Sequence, residues 1–322
     1  MRKSMMERLN PEFAGPVKMM QAQGGAMNLD DIPAARANST KMMEAMKKFN
    51  PVIEGVTSED RKIPGPRHAP DVSVRIYHPA KQKGKLPAVL WIHGGGYILG
   101  NIEQEDILAK RITLAGNCVT VTVDYRLAPE NPFPAPLEDC YAALRWLAAN
   151  TEKLNVDGKR IAIGGASAGG GLAAGLALLT RDRGEVPVIF QYLIYPMLDD
   201  RTTQPASDTC PDALFWTRES NRIGWRSYLG CEPGGDNISQ YASAPRAADL
   251  SSLPPAYIAV GELDLFAQED ISYAKRLIEA CVPTELHVYP GVCHAFDMMV
   301  PNAGVSQQFT TDFNRTLKEG LA

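Results

Sequence analysis

Three features of this 322-residue chain predict an α/β fold with a mostly parallel sheet covered by helices on both faces. From residue 72 onward, short apolar runs of strand length alternate with segments of helix length. The central runs, Leu86–Ile92 above all, are almost continuously apolar, as strands buried on both sides must be. Finally, Gly165-x-Ser167-x-Gly169 stands between a short apolar strand, Ile161–Ile163, and an apolar helix former, Leu172–Leu179.

Residues 1–55 differ from the remainder. Nine of the twelve methionines lie here, and Pro and Gly break the stretch into short helical pieces. Met42, Met46 and Phe49 recur at helical spacing, an apolar stripe suited to packing on a main domain or to walling an apolar pocket with flexible thioethers. The expected strands are Val72–Tyr77, Leu86–Ile92, Cys118–Tyr125, Ile161–Ile163, Val188–Tyr195, Ala256–Val260 and Glu285–Tyr289. The expected helices between and after them are Ile102–Ala115, Leu137–Asn150, Gly171–Arg183, Gln268–Ala280 and Gln307–Leu321. Between Pro196 and Pro254 the alternation stops. That stretch is polar and rich in Pro and Gly, yet carries Phe215, Trp216, Trp225 and Tyr228. A structureless connection of that length is unusual, so a mainly helical insertion is expected, joining the N-terminal helices as a cap. The organisation read from the chain is therefore a cap segment over 1–55, a core over 56–196, a cap insertion over 197–250 and the rest of the core over 251–322.

Composition excludes several functions. The net charge is −4 with no basic stripe, which argues against nucleic acid as partner. No stretch reaches the roughly 18 apolar residues of a membrane span, and Arg2 and Lys3 are followed by no signal-like apolar run. The six cysteines (118, 140, 210, 231, 281 and 293) show no C-x-x-C spacing and read as reduced thiols of a cytoplasmic protein.

Chemistry gathers around Ser167. In a strand–turn–helix elbow the flanking residues are tiny and the serine is strained, with its Oγ raised at a helix N-terminus where negative charge is favoured. The pentapeptide alone can be an ordinary turn. The overlapping Gly169-x-Gly171-x-x-Ala174 begins inside the presumed helix, unlike a dinucleotide fingerprint, and no Lys-Ser/Thr follows to make a P-loop. What gives the serine meaning is the company it keeps. His93-Gly94-Gly95-Gly96 follows a buried strand one crossover earlier, and its glycines let backbone N–H groups approach a ligand. On such elbows the chain order is Ser, acid, His, so His93 comes too early to be the base and suits a loop-fixing role. Of the five histidines, His68 lies in a Pro-rich linker, His78 ends an early strand and His287 lies inside one. His294, on the loop after the last strand, is the candidate base. Glu262 and Asp264 both follow the strand before it, and the residues themselves leave that choice open.

Taken together these motifs resemble the hormone-sensitive-lipase-like carboxylesterases of the α/β-hydrolase fold. The likeness runs from about Leu86 to Phe296 and includes His93–Gly96, Asp124-Tyr125-Arg126-Leu127-Ala128-Pro129-Glu130, Phe133-Pro134-Ala135, Gly165–Gly170, Asp264 and His294-Ala295-Phe296. It implies a central sheet of about eight strands with a helical cap. It implies a Ser167–His294–Asp264 triad, an oxyanion hole from the N–H groups of Gly94, Gly95 and Ala168, and support from His93 and Gly96. Met42, Met46, Tyr97, Phe215 and Trp216 are the expected pocket residues. No metal or cofactor is implied, and the partner is a small ester of short to medium acyl length. The last strand, Glu285–Tyr289, is β-prone with one formal charge and no proline; as an edge it is expected to pair with a second copy of the chain, the alternative being a monomer with that edge shielded by the C-terminal helix or a loop. Amidases, peptidases and acyltransferases use the same triad. The plant gibberellin receptors keep the fold but lack the histidine, which is present here. Two departures stand out: Ala166 replaces the usual Asp or Thr, and Asp264-Leu265-Phe266-Ala267-Gln268 lacks the proline and second aspartate of D-P-L-x-D. A buried polar link between positions 166 and 268 is the expected loss.

Overall fold

The computed structural model describes residues 4–22, 28–47, 51–203 and 214–322, with side chains throughout except at 46 and 47. Eight strands form one sheet: β1 (Val56–Ile63), β2 (Val72–Pro79), β3 (Leu86–Ile92), β4 (Val119–Asp124), β5 (Val156–Ala166), β6 (Gln191–Ile194), β7 (Ala256–Gly261) and β8 (Thr284–Tyr289). Their order is β1-β2-β4-β3-β5-β6-β7-β8. The β1–β2 and β2–β4 pairs are antiparallel and every other pair is parallel.

The apolar strands sit where their sequences require. All seven residues of β3 are buried, and their alternation feeds two separate cores. Ala88, Leu90 and Ile92 join α5 (Ala135–Ala149), α6 (Ala168–Arg183) and α8 (Ala267–Glu279) on one face. Val89 and Trp91 join α4 (Asp106–Gly116) and α10 (Gly304–Gly320) on the other. In α6 every residue from Ala168 to Thr180 is buried, which its small, uncharged composition permits.

The sequence gives no sign of β1. Its residues VTSEDRKI are exposed except at the two ends, so no apolar alternation exists to read. It is held by backbone pairing and by ion pairs such as Arg75 with the opposite Asp60. Its charges also guard this edge of the sheet against further strand addition.

Three helices, α1 (Met5–Arg8), α2 (Pro11–Ala22) and α3 (Ile32–Lys47), precede the sheet. Met5, Leu9, Phe13 and Val17 pack into the core shared with Val292 and Phe296. Arg36 of α3 donates to the carbonyls of Ile98 and Ala128 and pairs with Glu130. That anchoring turns Ala35 inward and leaves Met42 64% exposed, so the expected apolar wall is not built from Met42. Met43, three turns from Ile32, is the half-buried methionine of that helix. The side chain of Met46, and Phe49, lie outside the described residues.

The stretch between β6 and β7 is less helical than expected. Among its described residues are one α-helix, α7 (Arg218–Leu229), and 3₁₀ turns at Asp200–Thr203 and Ala244–Arg246. Pro233, Gly234, Gly235 and Pro245 interrupt the backbone here. Instead of helix packing, buried ion pairing fixes it: Asp200, fully buried, accepts two bonds from Arg246 and one from the Gly234 N–H.

Candidate active site

The strand order brings the motifs together. Because β3 lies directly beside β5 with Ile92 opposite Gly165, the loop beginning at His93 leaves the sheet next to Ser167. The loops after β6, β7 and β8 emerge at the same carboxyl edge, where open α/β sheets place their ligands.

Ser167 stands between β5 and α6 with φ 56° and ψ −121°, a conformation that side chains resist by roughly 1–3 kcal/mol. Its surroundings enforce the turn. The Ser167 N–H donates to Ile194 at 2.9 Å, and its carbonyl accepts from Met197 at 2.9 Å and Gly171 at 3.0 Å. Glycine is required on both sides: a Cβ on Gly165 would stand 2.4 Å from the Gly169 backbone, and one on Gly169 only 2.1 Å from the Ile92 carbonyl.

From the serine a line of hydrogen bonds runs inward. His294 Nε2 lies 2.9 Å from Ser167 Oγ, and His294 Nδ1 lies 2.7 Å from Asp264 Oδ2. With its proton on Nδ1 the imidazole donates to Asp264 and accepts from the serine hydroxyl. The other oxygen of Asp264 accepts the Phe266 N–H at 3.0 Å. All three side chains are buried. Glu262, the alternative acid, is turned away: it pairs with Arg8 at 2.7 Å and accepts the Gly291 N–H at 3.0 Å, half exposed to water.

The glycine loop abuts Ser167. A Cβ on Gly94 would meet the Ala166 carbonyl at 2.9 Å and Ser167 Cβ at 3.4 Å, which measures how close its backbone lies. The N–H of Ala168 opens α6, where no intrahelical acceptor exists. His93 frames this loop. Its Nδ1–H donates to the Gly94 carbonyl at 2.7 Å, and its ring stacks on Tyr125 with centroids 4.2 Å apart. Burial pushes its pKa down to about 4, so it is neutral near pH 7.

The expected pocket residues divide. Tyr97 is fully buried, stacked on Tyr228 at 4.0 Å with its hydroxyl donating to the Met197 carbonyl at 2.9 Å. It is a framework residue, its ring being consumed by the fold. Trp216 is buried against the glycine loop: a Cβ on Gly96, at φ +59°, would fall 2.2 Å from the indole. Phe215 is 42% exposed, its ring facing that of His294.

Other residues at the site carry no motif. Tyr195, at φ 35°, presents its ring edge-on to His294 with centroids 4.8 Å apart. Its hydroxyl donates to Asp297 at 3.0 Å, and Trp91 Nε1–H donates to Glu105 at 2.9 Å. Burial raises the pKa of both carboxyls, that of Glu105 to about 7. The only sequence signal for Tyr195 is its place at the end of an apolar strand run. Gln268, one of the two positions where a buried polar link is the expected loss, is exposed on α8; the buried carboxyls are the next two residues, Glu269 and Asp270.

Comparisons with known proteins give a consistent picture. A family described as alpha/beta hydrolase fold matches residues 89–298. The chain is 35% identical over 278 residues to Carboxylesterase NlhH of Mycobacterium tuberculosis, covering 85% of this chain and 86% of that protein. Esterase LipI of the same organism is 34% identical over 304 residues, with 94% and 92% covered. Among solved structures, a bacterial heroin esterase superposes with a TM-score of 0.93 at 38% identity, covering 99% of this chain and 100% of that one. A hyperthermophilic esterase from Pyrobaculum calidifontis gives 0.86 at 34% identity, with 97% and 98% covered.

Proposed function

The chain belongs to the hormone-sensitive-lipase-like carboxylesterases of the alpha/beta hydrolase fold, and from that premise we propose that Ser167, His294 and Asp264 carry out ester hydrolysis. The observation that carries this reading is the unbroken hydrogen-bonded line from Ser167 Oγ through both ring nitrogens of His294 to Asp264.

Ser167 Oγ attacks the ester carbonyl carbon while its proton passes to His294 Nε2. The carbonyl oxygen becomes an oxyanion facing the N–H groups of Gly94, Gly95 and Ala168, donors of a kind each worth about 10²–10³ in kcat. Collapse breaks the bond to the leaving oxygen, which takes the proton from Nε2 and departs as alcohol. Water then attacks the acyl-enzyme, giving one proton to Nε2; the carboxylic acid leaves and Ser167 recovers its proton. Asp264 keeps Nδ1 protonated and stabilises the imidazolium that forms in both halves.

The N-terminal helices and the insertion after β6 act as the cap, with Trp216 and Phe215 beside the reacting centre, and acyl chains of short to medium length are the substrates. The chain works as a homodimer joined through β8. That strand is the last in the sheet, with β7 as its partner and Val288 39% exposed. Its unpaired thiols, at 118, 140, 231, 281 and 293 among the described residues, suit the reducing cytoplasm.

The test is hydrolysis of p-nitrophenyl esters from acetate to decanoate, with fluorophosphonate labelling of the same preparations. Wild type should turn over the shorter esters and take one label; folded Ser167→Ala should do neither. Undiminished turnover in that variant would overturn the reading.

A further inference from the structure

Among the described residues three aromatic rings surround the imidazole of His294, and they do not meet it alike. Tyr195 and Phe266 approach edge-on, with centroids 4.8 Å and 5.2 Å away at 66° and 87°. These contacts hold the ring in place. Phe215 instead faces it, at 29° between planes and 6.4 Å between centroids.

That distance leaves the Phe215 ring free. The other face-to-face pairs among the described residues range from Tyr97–Tyr228 at 4.0 Å and His93–Tyr125 at 4.2 Å to His287–Tyr289 at 5.8 Å and Phe309–Phe313 at 5.9 Å. Phe215 is farther from its partner than any of these and remains 42% exposed, a large apolar face at a buried polar centre. Its neighbour explains why it stays there. Trp216 is wedged on Gly96, with a Cβ on Gly224 also 3.4 Å from the indole, and its Nε1–H donates to Asn221 at 3.3 Å. The backbone before α7 is thereby pinned to the glycine loop, and Phe215 is held over the imidazole at little further entropic cost.

The reaction decides which part of the substrate meets that ring. The carbonyl oxygen must turn to the N–H groups of the glycine loop and α6. The leaving oxygen must come within hydrogen-bond reach of His294 Nε2 to take its proton. The alcohol portion therefore lies on the imidazole side, beside Phe215, and the acyl portion points away from it.

We propose that Phe215 is the leaving-group subsite and that it selects esters whose alcohol carries a flat aromatic ring. An aromatic alcohol can lay its face or edge on Phe215, whereas a puckered saturated ring of the same size makes only apolar contact. The inference rests on the esterase reading above and narrows it to a substrate class.

Benzyl acetate and cyclohexylmethyl acetate separate the two ideas, because their alcohols match closely in size and basicity. Wild type should favour the benzyl ester by about threefold to tenfold in kcat/KM, the range expected of one aromatic pair. Phe215→Leu should bring the ratio close to one, and Phe215→Tyr should restore it. A second pair, methyl phenylacetate and methyl cyclohexylacetate, moves the ring to the acyl side, and there the ratio should not change on replacing Phe215. Should Phe215→Leu fail to fold, product inhibition of wild type serves instead: benzyl alcohol should inhibit more strongly than cyclohexylmethanol. Equal handling of the two acetates by wild type, or an unchanged preference in folded Phe215→Leu, overturns the subsite. Dependence on Phe215 confined to the acyl pair overturns it equally. Failure to hydrolyse any ester would instead sink the esterase reading itself.

Discussion

The carboxylate of Glu269 accepts the backbone N–H of Leu198 at 2.7 Å, joining the helix that follows the Asp264 loop to the strap that leaves β6. The same group accepts the Asp199 N–H at 3.2 Å and the Thr202 hydroxyl. One residue before Leu198, Met197 is bonded through its N–H to Ser167 and through its carbonyl to Tyr97. Ser167, the glycine loop and α8 thus share one short backbone segment. Glu269→Ala would strand the buried N–H of Leu198, at about 1–3 kcal/mol when left unpaired, and at lower cost the half-buried Asp199 N–H and Thr202 hydroxyl. We expect a loss of roughly 3 kcal/mol in urea unfolding, and less than about 1 kcal/mol for Glu269→Gln, which keeps an acceptor. Equal losses for the two would mean that side-chain volume, rather than hydrogen bonding, holds the strap.

The two carboxylates after β7 should respond oppositely to neutralisation. Asp264→Asn removes the charge that orients His294 and stabilises its imidazolium, and kcat should fall about 10⁴-fold with the fold intact. Glu262→Gln breaks a half-exposed pair with Arg8, of a kind worth about 0–1 kcal/mol, and should leave kcat within about twofold. Steady-state kinetics on both variants decide the matter, and the reverse ranking would transfer the acid role to Glu262.

Gly96 and Trp216 form a testable pair. Gly96→Ala places a methyl 2.2 Å from the indole and puts an L side chain at φ +59°, a backbone cost of about 1–2 kcal/mol by itself. Thermal unfolding should show a larger loss than that backbone cost. Combining Gly96→Ala with Trp216→Ala should recover part of it, because the obstacle is gone. Strict additivity of the two substitutions would show that the loop yields without strain.

How far the chain can be read from its residues follows from how locally each feature is specified. β3 is legible because burial on both faces demands an unbroken apolar run. Ser167 and His294 are legible as separate motifs and Asp264 only through the family resemblance, whereas the approach of the three depends on β5, β7 and β8 lying at one end of a single sheet. β1 is invisible because an edge strand exposed on both faces needs no apolar pattern, and its charges are what protect that edge. Met42 misleads because the face that α3 turns inward is chosen by Arg36 and its distant partners. Tyr97 misleads for a related reason: adjacency to the glycine loop in sequence does not decide which way a ring points. Tyr195 and Phe266 reach His294 only through tertiary structure; their places at the end of an apolar strand and in the Asp264 loop do not say which way either ring turns.

Asp270 makes the last prediction, on stability against pH. It is fully buried in α8, and neither carboxyl oxygen has a hydrogen-bond partner among the described residues. Burial first, and then the neighbouring carboxylates of Glu269 and Asp264, hold its pKa well above the usual range. In the unfolded chain the same group releases its proton near pH 3.9. Above that pH the native state keeps a proton that the unfolded state has lost, so stability falls as pH rises, by up to about 1.4 kcal/mol per unit, until the native group also ionises. Glu269, likewise raised by burial, adds a slope of the same sign, so replacing Asp270 should reduce the dependence without abolishing it. Asp270→Asn preserves shape and has no such proton. Relative to wild type it should therefore gain stability between pH 5 and pH 8, with the advantage growing as pH rises. All other groups cancel in the difference between the two proteins. Urea midpoints at four or five pH values across that range provide the measurement. Parallel curves for wild type and Asp270→Asn would mean that Asp270 ionises in the folded protein much as it does in the unfolded chain, with a water or a shifted side chain solvating it.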